Sequence, residues 1–213
     1  MRSDSLHRSA DRKCLSLSRV VLLELLDISP VSQLANLERL VLTGTSVSDI
    51  KPIATLQNLC ALSIGGCVAI KSLEPLMKLD KLDDLCLEGT LVPDLEPIVK
   101  LQNLHILELE RDASIDSLEP LAKLKGLQML FLHKCYDLSP LAELKELRYL
   151  YLFYENTEET DLTPVAILPR LIDIDGVEAG KFKIAPELRC EPDRIASPAI
   201  RRLVVEPAKT QSE

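Results

Sequence analysis

The sequence predicts an α/β repeat solenoid, with a parallel sheet of short strands on the concave face and short helical or 3₁₀ returns on the convex face. Three observations carry that expectation. An apolar-x-Pro anchor recurs at Pro30, Pro52, Pro75, Pro97, Pro120, Pro140 and Pro164, at spacings of 22, 23, 22, 23, 20 and 24 residues. Counting on from a proline, positions +4, +7, +10 and +12 are Leu34, Leu37, Leu40 and Leu42 in one repeat and Leu144, Leu147, Leu150 and Leu152 in another, and the four repeats between them depart only at Ile64. Three residues before each proline stands Asp or Ser, from Asp27 to Asp161. A period of 20 to 29 residues is that of a unit built from one strand and one return.

The elements follow in order. Residues 1–18 read as a flexible lead, and residues 1–19 carry five Lys/Arg against two Asp/Glu. The run from Arg19 to Pro30 overlays on Met129 to Pro140 with Val20 and Leu22 as strand positions, a degenerate first turn that closes the end of the stack. From Pro30 to Leu152 each Leu-x-Leu sets two leucines inward and the residue between them outward, because strand side chains alternate. Proline opens each return, where its missing N–H costs nothing, and Ser29, Ser139 and Thr163 read as caps before it. The Asp or Ser at minus three can accept the backbone N–H two residues on, so these carboxylates are turn chemistry and not catalytic groups. The solenoid of about seven turns is expected to span 19–180. Residues 181–213 are a cap or tail, with a short helix opening at Ser197-Pro198.

The "apolar-x-Pro-Leu-Ala" return with its period near 22 resembles the leucine-rich-repeat superfamily, and is most similar to the internalin and phosphatase-regulator type, over roughly residues 20–175. The resemblance implies a scaffold whose members mostly bind other proteins.

Composition bounds the function. The formal charge is −8. Residues 1–19 carry +3 and the tail +2, so the repeats are strongly acidic, which argues against nucleic acid as the main ligand. No apolar run is long enough to span a bilayer. Arg19 and Glu24 interrupt the apolar run near the start, which argues against a secretory signal and for a cytoplasmic protein, a non-classically secreted effector being the other setting. Six cysteines show no C-x-x-C pair. Cys67 and Cys135 fall at the turn leaving a strand and are expected to be structural. Cys86 is expected outward and inert beside acidic neighbours. Neither a cofactor nor a metal site is expected, and His7, His105 and His133 lack ligand spacing.

The outward strand positions change along the chain. They are acidic at Asp84, Glu88, Glu108 and Glu110 and aromatic at Phe131, Tyr149, Tyr151 and Phe153, with His133 among them. Six of the seven aromatics lie between Phe131 and Tyr154. Such a patch buries large area at low rotamer cost, as a protein-binding hot spot requires; the alternative is that residues 182–205 fold back over it as a cap. The expected function is therefore a non-catalytic, monomeric module binding a protein partner with a basic surface. Its alternative is the ligand-sensing part of a larger receptor or secreted effector. No nucleophile–base pair or phosphate loop supports an enzyme.

Overall fold

The computed structural model describes residues 13–16, 27–109, 115, 117–132, 137–152, 160–175 and 182–184. Most of the expected lead and of the 181–213 tail, with its Ser197-Pro198 helix, lies outside the described residues, as does the Val20–Leu22 strand. The chain forms two compact units, 1–116 and 117–213.

The first unit carries five parallel strands in sequence order: β1 (Cys14–Ser16), β2 (Arg39–Val41), β3 (Ala61–Ser63), β4 (Asp84–Cys86) and β5 (Ile106–Leu109). Their registers align Leu15, Leu40, Leu62, Leu85 and Leu107. These five leucines are buried and make the inner row of the core. In the second unit, β6 (Met129–Leu132), β7 (Tyr149–Leu152) and β9 (Asp173–Asp175) pair in parallel and align Leu130, Leu150 and Ile174. There β8 (Thr160–Asp161) pairs with β10 (Phe182–Lys183).

Every described return is a 3₁₀ helix, and the sequence explains why. In a 3₁₀ helix side chains at i and i+3 eclipse. Leucines at steps of three therefore all face the core, and the backbone bonds share that step: Val31 N–H donates to Ile28 O at 2.9 Å, Leu34 N–H to Val31 O at 2.9 Å, and Leu37 N–H to Leu34 O at 2.9 Å. An α-helix would turn the third leucine toward solvent.

The residue at minus three closes each return. Ser29 N–H donates to Asp27 Oδ1 at 2.8 Å, Lys51 N–H to Asp49 Oδ1 at 2.9 Å and Glu96 N–H to Asp94 Oδ1 at 2.8 Å. Ser139 and Thr163 do the same to Asp137 and Asp161, while Glu74 and Glu119 use the hydroxyls of Ser72 and Ser117. Ser29, Ser139 and Thr163 are thus not caps, contrary to expectation. They are the first residues of their returns, and the N-cap positions are Ile28, Leu138 and Leu162, none of which makes a side-chain cap bond. The N–H groups that follow each proline are already held by the backbone, Val31 donating to Ile28 O at 2.9 Å and Leu141 to Leu138 O at 3.0 Å.

The flexible lead expected over 1–18 is corrected at residues 13–16, the part of it that is described. Cys14-Leu15-Ser16 is a strand, with Glu38 and Arg39 N–H both donating to Lys13 O at 2.9 Å and Lys13 Nζ 2.8 Å from Glu38. Leu15 precedes Leu40 by 25 residues and Val20 does so by 20, and both fall within the repeat range, so period alone does not choose between them. Leu15-Ser16-Leu17 carries the better Leu-x-Leu alternation.

Candidate functional site

The sheet of the first unit places Arg39, Ala61, Asp84 and Ile106 in one outward row and Val41, Ser63, Cys86 and Glu108 in the next. Ala61 is buried, Arg39 is exposed, and the others are half-buried. The sequence therefore brings Asp84 and Glu108 onto one surface, diagonal neighbours on adjoining strands. Burial pushes the Asp84 carboxyl above its ordinary value, Glu108 adds to that push, and Arg39 opposes it. The Cys86 thiol is pushed up to about 12, first by burial and then by its hydrogen bond with Glu108. A thiol held so far from ionisation is a poor nucleophile at neutral pH. Glu88 is half-buried beyond the strand, and its carbonyl accepts Gly66 N–H at 2.6 Å. Glu110 lies outside the described residues.

The second unit presents a different surface. Met129 and Phe131 on β6 stand in register with Tyr149 and Tyr151 on β7, and all four are half-buried. The Phe131 and Tyr151 rings stack, with centroids 4.4 Å apart and planes within 8°. His133 and Phe153 lie outside the described residues.

Among solved structures, an internalin (inlF) of Listeria monocytogenes matches with 30% identity and a TM-score of 0.66, over 82% of this chain and 49% of that one. Internalin C2 (inlC2) of the same organism matches with 25% identity and a TM-score of 0.70, over 88% of this chain and 78% of that one. The chain belongs to the leucine-rich-repeat superfamily. It spans about half the length of the inlF structure. A plant peptide hormone receptor, RGFR1, solved in complex with RGF2, shares the fold at 18% identity and a TM-score of 0.52, over 82% of this chain and 29% of that one. No protein family model and no curated protein matches the chain.

In these repeats the cysteine at the strand exit is structural, as expected at Cys67. It is fully buried, and its thiol donates to Leu42 O at 3.0 Å. Cys135 lies outside the described residues. His105 bonds the Asp83 carboxylate through Nδ1, beside the sheet.

Two features were missed from sequence. On β9, Asp173 and Asp175 pair with Tyr149 and Tyr151 and are exposed, so a carboxylate row flanks the aromatic row. The signal was present, because Asp173-Ile174-Asp175 fits the same outward-inward-outward frame as Tyr149-Leu150-Tyr151. The second feature is an open groove of about 590 Å³ among the returns, where Lys51, Lys71 and Lys78 stand with Asp49 and Glu74. Its charges are mixed, and Asp49 is committed to its turn.

Proposed function

We propose that this chain is a non-catalytic protein-interaction module that binds a protein partner on the outward sheet face of its repeats, the face expected to be concave. The observation that carries this reading is the half-exposed row Met129, Phe131, Tyr149 and Tyr151 set on a rigid sheet. Large rings at outward strand positions do nothing for the core, which the leucines already fill, and rings of this kind supply most of the energy at protein interfaces. Asp84, Glu88, Glu108 and Glu110 give the first unit an acidic surface that complements a basic partner and speeds its approach. His133 and Phe153 extend the aromatic set in this proposal. The protein acts as a monomer and engages neither nucleic acid nor membrane. Among the described residues no helix is long and apolar enough to cross a membrane. A cytoplasmic setting is supported by Cys14, Cys60, Cys67 and Cys86, all free thiols.

A quantitative pull-down from native lysate tests this, comparing wild type with Tyr149→Ala/Tyr151→Ala and with Asp84→Asn/Glu108→Gln, each shown to be folded by circular dichroism. One protein captured by wild type and lost from the aromatic variant is the expected result. Capture unchanged in both variants would remove the sheet face as the interface. The second reading, a sensing segment of a larger receptor or effector, is favoured by the match covering only 49% of the inlF chain. It predicts that an antibody raised to the repeats detects a species well above 23.7 kDa in native cells.

A further inference from the structure

In the second unit the aromatic stack ends against an acid. Phe131 and Tyr151 are register partners, and their ring separation of 4.4 Å is close to the strand spacing of about 4.8 Å. Two parallel rings separated along the line from strand to strand have their faces turned toward the neighbouring strands. The face of Tyr151 away from Phe131 is therefore turned toward β9, where its register partner is Asp175. Asp175 is exposed, and its side chain is too short to lie as a third plate on the stack. Asp173 is likewise the register partner of Tyr149.

We propose that the Tyr151–Asp175 step, with Tyr149–Asp173 beside it, is a subsite for an arginine side chain of the partner. The inference rests on the reading of the sheet face as a contact surface and names the chemistry that face selects. A guanidinium is planar and permanently charged; it stacks on an aromatic face and pairs with a carboxylate through two parallel N–H groups. Lying on Tyr151 it continues the stack by one layer, which carries its N–H edge over the strand of Asp175. A lysine ammonium satisfies the charge but cannot stack as a plate. The subsite does not need idle carboxylates. Asp173 Oδ1 accepts Ile174 N–H at 3.1 Å, and a carboxylate can accept from several donors at once. On the acidic surface of the first unit, Asp84 stands among Ala61, Ser63, Cys86 and Ile106, none of which carries a ring. It attracts cations without selecting a flat one.

The test titrates the full chain with the peptide acetyl-Gly-Arg-Gly-Arg-Gly-amide and with its lysine and citrulline counterparts, following the tyrosine ring resonances by NMR. The chain has four tyrosines and no tryptophan, which keeps the ring region readable. The arginine peptide is expected to saturate while shifting the Tyr149 and Tyr151 signals. Lysine should bind at least threefold more weakly, and citrulline, which keeps the plane without the charge, should not bind measurably. Asp175→Asn and Tyr151→Leu should each weaken the arginine peptide at least tenfold, and Glu119→Gln, an exposed residue on a return, should leave it unchanged. Equal binding of the lysine peptide, or no loss in Asp175→Asn, overturns the proposal. So does binding that emerges only after Arg201→Ala/Arg202→Ala, which would seat the chain's own tail on the subsite. A pull-down that loses its partner in the tyrosine variant, alongside peptides that do not discriminate, would retain the interaction module and sink the arginine subsite.

Discussion

The two units have interiors of the same kind and differ in what they show. Leu85 on β4 and Leu130 on β6 occupy the same repeat position, each fully buried. Asp94 and Asp137 close their returns with the same bond at 2.8 and 2.9 Å. On the outward face the likeness stops: Asp84, Cys86 and Glu108 in the first unit are answered by Phe131, Tyr149 and Tyr151 in the second. Inward positions are set by the need to fill a layer of fixed width, and outward positions carry no such demand. The outward residues are therefore where a family with one fold can acquire many ligands.

Substitutions can break or sharpen this comparison. The largest effect belongs to the leucine interior of each unit: Leu85→Ala and Leu130→Ala should each cost about 2–5 kcal/mol in urea denaturation. Two equal losses support the common register, while a loss below about 1 kcal/mol at either site would show that its unit does not use the repeat as described. Next comes the thiol that only the acidic face contains. A pKa raised from 9.0 to about 12 leaves Cys86 roughly a thousandfold less thiolate at neutral pH. The greater nucleophilicity of each thiolate recovers part of that, so alkylation should run about 30-fold slower than at an ordinary exposed cysteine. Peptide mapping of iodoacetamide labelling against exposed Cys60 gives the ratio, and equal rates would mean that the face is open to water.

Tyr151→Ala tests the aromatic face. Losing the stack with Phe131 should cost about 1 kcal/mol of stability, well below the Leu130→Ala loss. A drop as large as that of Leu130→Ala would mean that the ring is core after all.

The smallest effects have opposite signs in the two units. A raised Asp84 contributes stability that is present below its ordinary value of 3.8 and is lost as pH rises through its higher folded value. Asp84→Asn should therefore melt slightly above wild type at pH 7, the gap closing as pH falls toward 4. Asp137 is lowered, chiefly by the Ser139 hydroxyl and then by the Ser139 N–H. Its contribution is present above 3.8 and lost as pH falls through its lower folded value. Asp137→Ala should melt below wild type at pH 7, with the part owed to ionisation disappearing in acid. Melting curves from pH 2.5 to 7 that shift the two variants in the same direction would remove the contrast.

How much of this was legible depended on whether a residue's role repeats. The leucines and the minus-three residues recur in every repeat, so period alone exposed both the core and its turn bonds. Leu15 occurs once, in a run where Val20 fits the period as well, and only pairing with β2 decides between them. Asp173 and Asp175 were passed over because the last turn lacks its second leucine, Gly176 standing in that place, and the frame was followed through Ile174 alone. The stacking of Phe131 on Tyr151 needed a register between strands 20 residues apart, which the shortest spacing in the chain leaves least certain from sequence.

Each return closes with a side chain two residues from the N–H it holds, within the same repeat. That makes the bend portable. A segment of about 22 residues that is duplicated or deleted carries its corner with it, so such a chain can lengthen or shorten its displayed surface by one strand, about 4.8 Å at a time, without composing new turns. Selection acting on outward residues alone can then fit a surface of adjusted length to a new ligand.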